Sequence, residues 1–82
     1  MTLDSLKEAD TVTGIKQAMK AVRRSRAAAV FVADDADAHV LEDLLRACDL
    51  EDIPVEHVDS MAELGKACGI EVKASAAAVL RQ

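Results

Sequence analysis

Ala27-Ala28-Ala29-Val30-Phe31-Val32-Ala33 is a run of seven residues without a polar side chain, bounded by Arg26 before it and Asp34 after it. The run is short, and valine and phenylalanine concentrate near its end. It reads as a strand buried on both faces. A strand covered on both sides requires a layer of structure on each, so the flanking segments should supply helices above and below a sheet.

The flanks meet that requirement. Upstream, Thr11-Val12-Thr13 is β-branched throughout and predicts a very short strand. Gly14 then turns the chain into a helix ending near Arg24, with Ile15, Ala18, Met19 and Val22 on one apolar face. Arg23 and Arg24 suit the negative end of its dipole. Residues 3–9, with Leu3, Leu6 and Ala9 three apart, predict one more short helix before the first strand.

Downstream, Asp35 or Asp37 is placed to cap a helix marked by Val40, Leu41, Leu44, Leu45 and Cys48. Residues 49–52 read as an acidic connection. Pro54 opens a brief strand, Val55-Glu56-His57-Val58, where a proline at the start is tolerated. Ser60-Met61-Ala62-Glu63 has the form of a capping box, and Gly69 stops the helix that follows. Residues 70–75 form a loop, and Ala76 to Leu80 is a closing apolar strand.

The alternation of helix and strand predicts an α/β fold: a three-layer α/β/α sandwich around a small four-stranded mixed sheet. Residues 1–82 are expected to form a single domain. Apolar residues make up 51% of the chain, enough for a folded core. With one Phe and no Trp or Tyr, the core must be aliphatic, and binding through aromatic stacking platforms is excluded.

The net charge of −5 argues against nucleic-acid binding by bulk attraction. The charge is unevenly placed, however. Between Gly14 and Arg26 stand Lys16, Lys20, Arg23, Arg24 and Arg26 and no acid, whereas eleven acids and one base, Arg46, lie between Asp34 and Glu63. The N-terminus has no secretory leader pattern and no apolar run is long enough to span a membrane, so a cytoplasmic location without membrane association is expected. Cys48 and Cys68 lack metal-ligand spacing and read as buried free thiols.

Gly14-Ile15-Lys16-Gln17-Ala18-Met19-Lys20 is the stretch that bears on function. A helix N-terminus carries unpaired N–H groups and a partial positive charge, which attract phosphate. Glycine lets a ligand approach the backbone. Lys16 and Lys20, four apart, share a face. A solvated helix face is the usual fate of such charges.

Three stretches taken together favour the functional reading: Thr13-Gly14-Ile15-Lys16-Gln17-Ala18-Met19-Lys20-Ala21, Val30-Phe31-Val32-Ala33-Asp34-Asp35-Ala36-Asp37, and Leu64-Gly65-Lys66-Ala67-Cys68-Gly69-Ile70-Glu71-Val72. In these, and in their spacing, the chain resembles the L-seven-Ae/L-thirty-e family of ribosomal and RNP proteins that bind RNA kink-turns, in particular its small bacterial YbxF/YlxQ-type branch. The resemblance implies a non-enzymatic binder of structured RNA that needs no cofactor, and a monomer is the default expectation. It implies that Gly14 and the first turn of its helix lie in the widened major groove, that Lys16 and Gln17 reach the sheared G·A pairs, and that Lys20 supports the RNA backbone. It implies a second contact from the loop, with Ile70, Glu71, Val72 and Lys73 at the RNA and the two apolar residues covering a flipped-out base. Arg23, Arg24 and Lys66 are candidate phosphate contacts. The Lys16-Gln17 pair matches the bacterial branch; archaeal and eukaryotic members carry Asn-Glu there.

Other readings compete. Asp34, Asp35 and Asp37 suggest a Mg²⁺ site at a strand end, but helix capping and solubility explain them better, since no lysine or nucleophile accompanies them. His39 and His57 read as surface residues without a partner at ligand spacing. A protein-interaction module of the same fold, docking a basic partner through the acidic half, is the rival from another class. A receiver-like phosphoryl-transfer domain is poorly supported.

Overall fold

The computed structural model describes residues 10–81. The helix expected over residues 3–9 lies outside them. The described elements are strand β1 (Thr11–Thr13), helix α1 (Ile15–Arg23), strand β2 (Ala27–Ala33), helix α2 (Ala38–Leu50), strand β3 (Val55–Val58), helix α3 (Met61–Ala67) and strand β4 (Ala76–Leu80). The sheet order is β1-β4-β2-β3. β2 pairs with β3 in parallel and with β4 antiparallel, and β4 pairs antiparallel with β1, so the sheet is mixed.

The apolar run that predicted an interior strand lies in the interior of the sheet. Val30 and Val32 of β2, with Ala76 and Ala78 of β4, face the layer made by α1 and α2, where they meet Ala18, Val22, Leu41, Leu44 and Cys48. Phe31, Ala33, Ala77 and Val79 point to the opposite face and are covered by Leu64 of α3, Val58 and Ala74. This alternation is the period-2 geometry of a strand serving two cores. Among the described residues the result is a three-layer sandwich with two helices on one face and one on the other. Alanine dominates β4, which runs between β1 and β2.

Two local expectations need correction. α2 continues to Leu50, so Asp49 belongs to the helix and the connection begins at Glu51. Ala28 is exposed, because the β2–β4 register shifts between Ala27 and Ala29 and turns that residue outward.

The helix ends share one device. At α3, Gly69 (φ 79°) donates its N–H to Lys66 O and Ile70 donates to Gly65 O at 3.1 Å, the paired bonds of a Schellman motif. Ser25 (φ 57°) and Asp52 (φ 55°) end α1 and α2 the same way, with Arg26 bonded to Ala21 O and Ile53 to Cys48 O, both at 2.8 Å. The helix starts follow the sequence signals. Asp37 accepts from His39 N at 2.8 Å, and Ser60 Oγ accepts from Glu63 N at 3.0 Å.

Candidate nucleic-acid interface

Topology gathers the N-termini of α1, α2 and α3 at one end of the sheet, with the C-terminal ends of β1, β2 and β3 and the start of β4. Gly14 N–H donates to Ala76 O at 2.8 Å, tying the mouth of α1 to the residue where loop 70–75 enters β4. Ala33 N–H donates to Ser75 O at 3.0 Å from the other side. The two segments singled out in the sequence are thus neighbours at one edge of the molecule.

Gly14 occupies φ 94°, ψ 154°, a region that only glycine enters without strain. Among the described residues, no atom beyond its own chain neighbours lies within 4 Å of where its Cβ would stand, so they leave the space in front of it open. Its carbonyl accepts from Ala18 N at 3.0 Å, which starts the helix, and no side chain among the described residues caps α1. The N–H groups of the first turn are left for an external acceptor.

Ala18, Ala21 and Val22 are buried, whereas Lys16, Gln17, Lys20, Arg23 and Arg24 are exposed. Among the described residues, none of these four cations takes part in a salt bridge. An open groove of about 700 Å³ separates α1 from α2, with Lys16, Lys20 and Arg23 on one wall, Ile15, Met19 and Val40 exposing apolar surface, and Asp43 opposite. A smaller groove of about 180 Å³ follows the other flank of α1, past Gln17, Lys20, Arg24 and Arg26. Arg23 and Arg24 lie at the far end of the helix, roughly 13 Å from Gly14 at 1.5 Å per residue.

The loop is held along α3. A Cβ at Gly65 would overlap the Val72 carbonyl oxygen and come within 3.3 Å of Lys73 Cα. Ala74 N–H donates to Met61 O at 3.1 Å, and Ser75 Oγ lies 3.6 Å from Met61 Sδ. The two apolar loop residues differ in environment. Val72 is 68% exposed, while Ile70 is half-buried against the Phe31 and Leu64 core. Glu71 and Lys73 flank Val72 on the surface, and Lys66 is exposed on the last turn of α3.

Sequence reasoning gave Gly65 no role of its own. The available signal was a glycine inside a helical pattern, which costs about 1 kcal/mol relative to alanine and therefore asks for a packing reason. The acidic turn also has partners that were not foreseen. Asp34 Oδ1 lies 2.7 Å from His57 Nδ1, and Asp35 Oδ1 accepts from Met61 N at 2.7 Å, fastening the start of α3 to the β2–α2 turn. Together with Asp37 at its cap, each of these aspartates is engaged by the protein itself. Cys48 is buried, as expected, but Cys68 is only half-buried; burial pushes both thiols above their ordinary range.

The class defined by the described residues is a small α/β/α sandwich with its helix N-termini gathered at one end and cations along α1. The chain belongs to the ribosomal protein L7Ae/L30e/S12e/Gadd45 family, whose model matches residues 2–82. It is 46% identical over 70 residues to the RNA-binding protein YbxF of Geobacillus stearothermophilus, covering 85% of each chain. A protein of Geobacillus thermodenitrificans, named RNA-binding protein, matches to the same extent, 46% over 70 residues and 85% of each chain. Among solved structures, the 15.5 kD RNA-binding protein of Giardia lamblia superposes with a TM-score of 0.88 at 29% identity, covering 98% of this chain and 71% of that one. No helix among the described residues is long and apolar enough to cross a membrane.

Proposed function

We propose that this chain is a monomeric RNA-binding protein that recognises a kink-turn or a similar sharply bent internal loop and stabilises its bent form. The observation that carries the reading is the bond from Gly14 N–H to Ala76 O, which sets a cationic helix start, without a side-chain cap or salt bridge among the described residues, beside a loop presenting an exposed valine. The relatives named as RNA-binding proteins support it.

The proposed chemistry follows from the side chains. Gln17 carries an amide that both donates and accepts at a base edge, and Lys16 and Lys20 contribute positive charge at phosphates. The open space before Gly14 lets the RNA reach the first-turn N–H groups. Val72 offers an apolar surface to a base that has left its stack. A straight duplex presents no flipped base and no widened groove, so the bent conformer binds better, and that difference in affinity shifts the RNA toward it. Local attraction survives the overall negative charge because it is screened over about 8 Å at physiological salt. The acidic remainder repels ordinary duplex and sharpens selectivity.

Replacing Lys16, Gln17 and Lys20 together by alanine tests the reading. Binding to a kink-turn hairpin, measured by calorimetry or fluorescence anisotropy, is expected to be abolished while the circular dichroism spectrum is unchanged. Equal binding by the wild type and the triple variant would remove these residues from the site. A second reading, docking of a basic protein partner by the acidic half, draws on Leu50, which is 78% exposed beside Glu51 and Asp52. Failure of the wild type to bind any structured RNA would favour it.

A further inference from the structure

Both flanks of α1 carry cations, but they differ in what stands opposite. Toward α2 the groove is lined by Lys16, Lys20, Arg23 and Arg24 but faces Asp43, and α2 beyond it exposes Asp49, the Glu42–Arg46 pair and, at its cap, Glu51. An RNA backbone leaving the α1 N-terminus on that side would meet those cations on one wall and carboxylates on the other. On the β1 side the groove is lined by Gln17, Lys20, Arg24 and Arg26 with Val12, Ala21 and Leu80, and none of these is an acid.

The basic track continues past the end of the helix. The Schellman turn at Ser25 sets Arg26 just beyond α1, and Arg26 O accepts the N–H of Arg81 at 2.7 Å. Arg81 Nε lies 3.3 Å from Ala27 O. Two arginines 55 positions apart in sequence are thereby brought side by side, from the end of a helix and the end of a strand. Among the described residues, none of Lys20, Arg24, Arg26 and Arg81 forms a salt bridge. The exposed Asp10, whose carbonyl accepts from Leu80 N at 2.8 Å, stands at the far end and bounds the track. Compensation of the helix dipole explains a cation at Arg24. It does not explain Arg81, which belongs to no helix.

We infer that the β1-side flank of α1 is the path along which one duplex arm of the bound RNA leaves the site, held through its phosphates by Lys20, Arg24, Arg26 and Arg81. The inference rests on the bent-RNA reading above and adds a direction to it. Contacts of this kind carry no base information, so they strengthen binding regardless of the arm's sequence. From Gln17 to Arg24 the helix alone spans about 10 Å, enough for more than one phosphate of a continuing strand.

The test uses kinked hairpins in which each arm in turn is trimmed close to the kink or extended by a helical turn. With the wild-type protein, extending one arm and not the other should tighten binding by roughly five- to tenfold at low salt. Each added phosphate contact should steepen the slope of log K against log salt by about 0.9, so two contacts add close to 2. The double variant Arg26→Gln/Arg81→Gln should lose that gain on the extended RNA while binding the trimmed RNA within about twofold of wild type. Arg26→Lys should keep most of it. Should the double variant melt early, Arg26→Gln alone carries the test, since its side chain makes no hydrogen bond or salt bridge among the described residues. A wild type that binds trimmed and extended arms equally, or a variant that keeps the arm-dependent gain, would overturn the path while leaving the bent-RNA site standing. If the wild type prefers a straight duplex to the trimmed hairpin, the bent-RNA reading itself fails and the path falls with it.

Discussion

The carbonyl oxygen of Val72 lies so close to Gly65 that a methyl group there would overlap it. A buried glycine in the middle of α3 thus sets how near loop 70–75 comes to the helix, and through Ala74 and Ser75 where β4 begins. Loop and helix also share the bond from Ala74 N–H to Met61 O, so the exposed side chain of Val72 is presented from a braced segment.

Gly65→Ala should therefore act through the loop. Alanine favours a helix interior by about 1 kcal/mol over glycine, but overpacking against a fixed backbone costs roughly 1–3 kcal/mol. The obstacle is a carbonyl, not the end of a flexible side chain, so the cost should prevail. The expected net loss is about 1 kcal/mol in urea denaturation. RNA affinity should also fall, although the α1 surface is untouched. Unchanged stability together with unchanged affinity would show that the loop can shift freely.

Ile70 and Val72 should separate stability from binding. Val72 is 68% exposed, so Val72→Ser should alter stability by no more than about 0.5 kcal/mol. If Val72 covers a base, its loss should weaken RNA binding by about fivefold, or roughly 1 kcal/mol, a fraction of the value of a fully buried valine. Ile70 packs partly against the α3-side core, so Ile70→Ala should cost about 1–2 kcal/mol of stability, below the range for a fully buried isoleucine. Denaturation midpoints and binding titrations on both variants check the division. A Val72→Ser protein with wild-type affinity would exclude that side chain from the interface.

The two cysteines give a pH dependence with a definite sign. Burial raises both thiols in the folded chain. Folded thiols therefore hold their protons more tightly than unfolded ones. Once pH passes the unfolded value near 8.5, the unfolded chain binds fewer protons, and stability declines. The contribution is complete below that value and is lost as pH rises toward the folded values. Urea midpoints from pH 7 to pH 10 should fall more steeply for the wild type than for Cys48→Ala/Cys68→Ser. A thiol reagent should reach half-buried Cys68 before buried Cys48, which should react only as the chain unfolds.

Local patterns made most of the secondary structure legible. The apolar run at β2, the serine cap of α3, the aspartate cap of α2 and the glycine stop at Gly69 each depend on residues a few positions apart. The strand order was not legible in this way. β4 inserts between β1 and β2, and an alanine-rich strand buried on both faces carries no alternation to identify its neighbours. The Asp34–His57 pair spans 23 positions and the Gly65–Val72 contact needs the chain to fold back, so neither has a periodic signature. The candidate site followed the same division. Gly14 and the cations after it stood out as a helix start, while their pairing with loop 70–75 came from resemblance and not from spacing. Arg81 was overlooked because its place beside Arg26 exists only after the sheet has formed.

Ser25 and Asp52 complete the Schellman turns of α1 and α2 in the left-handed region without being glycine. That conformation costs an L-residue roughly 1–2 kcal/mol. Glycine avoids it but loses about 0.4–1 kcal/mol through a freer unfolded chain. The net expectation is a gain of about 0.5–1 kcal/mol for Ser25→Gly. Asp52→Gly should gain more, because it also removes a negative charge beside the carbonyl end of α2, where the dipole disfavours anions. Both positions are exposed, so neither substitution leaves a cavity. Thermal unfolding of the two single variants tests the ranking. An Asp52→Gly protein no more stable than wild type would mean that the aspartate makes a compensating contact in solution. It would also mean that the helix end is not strained.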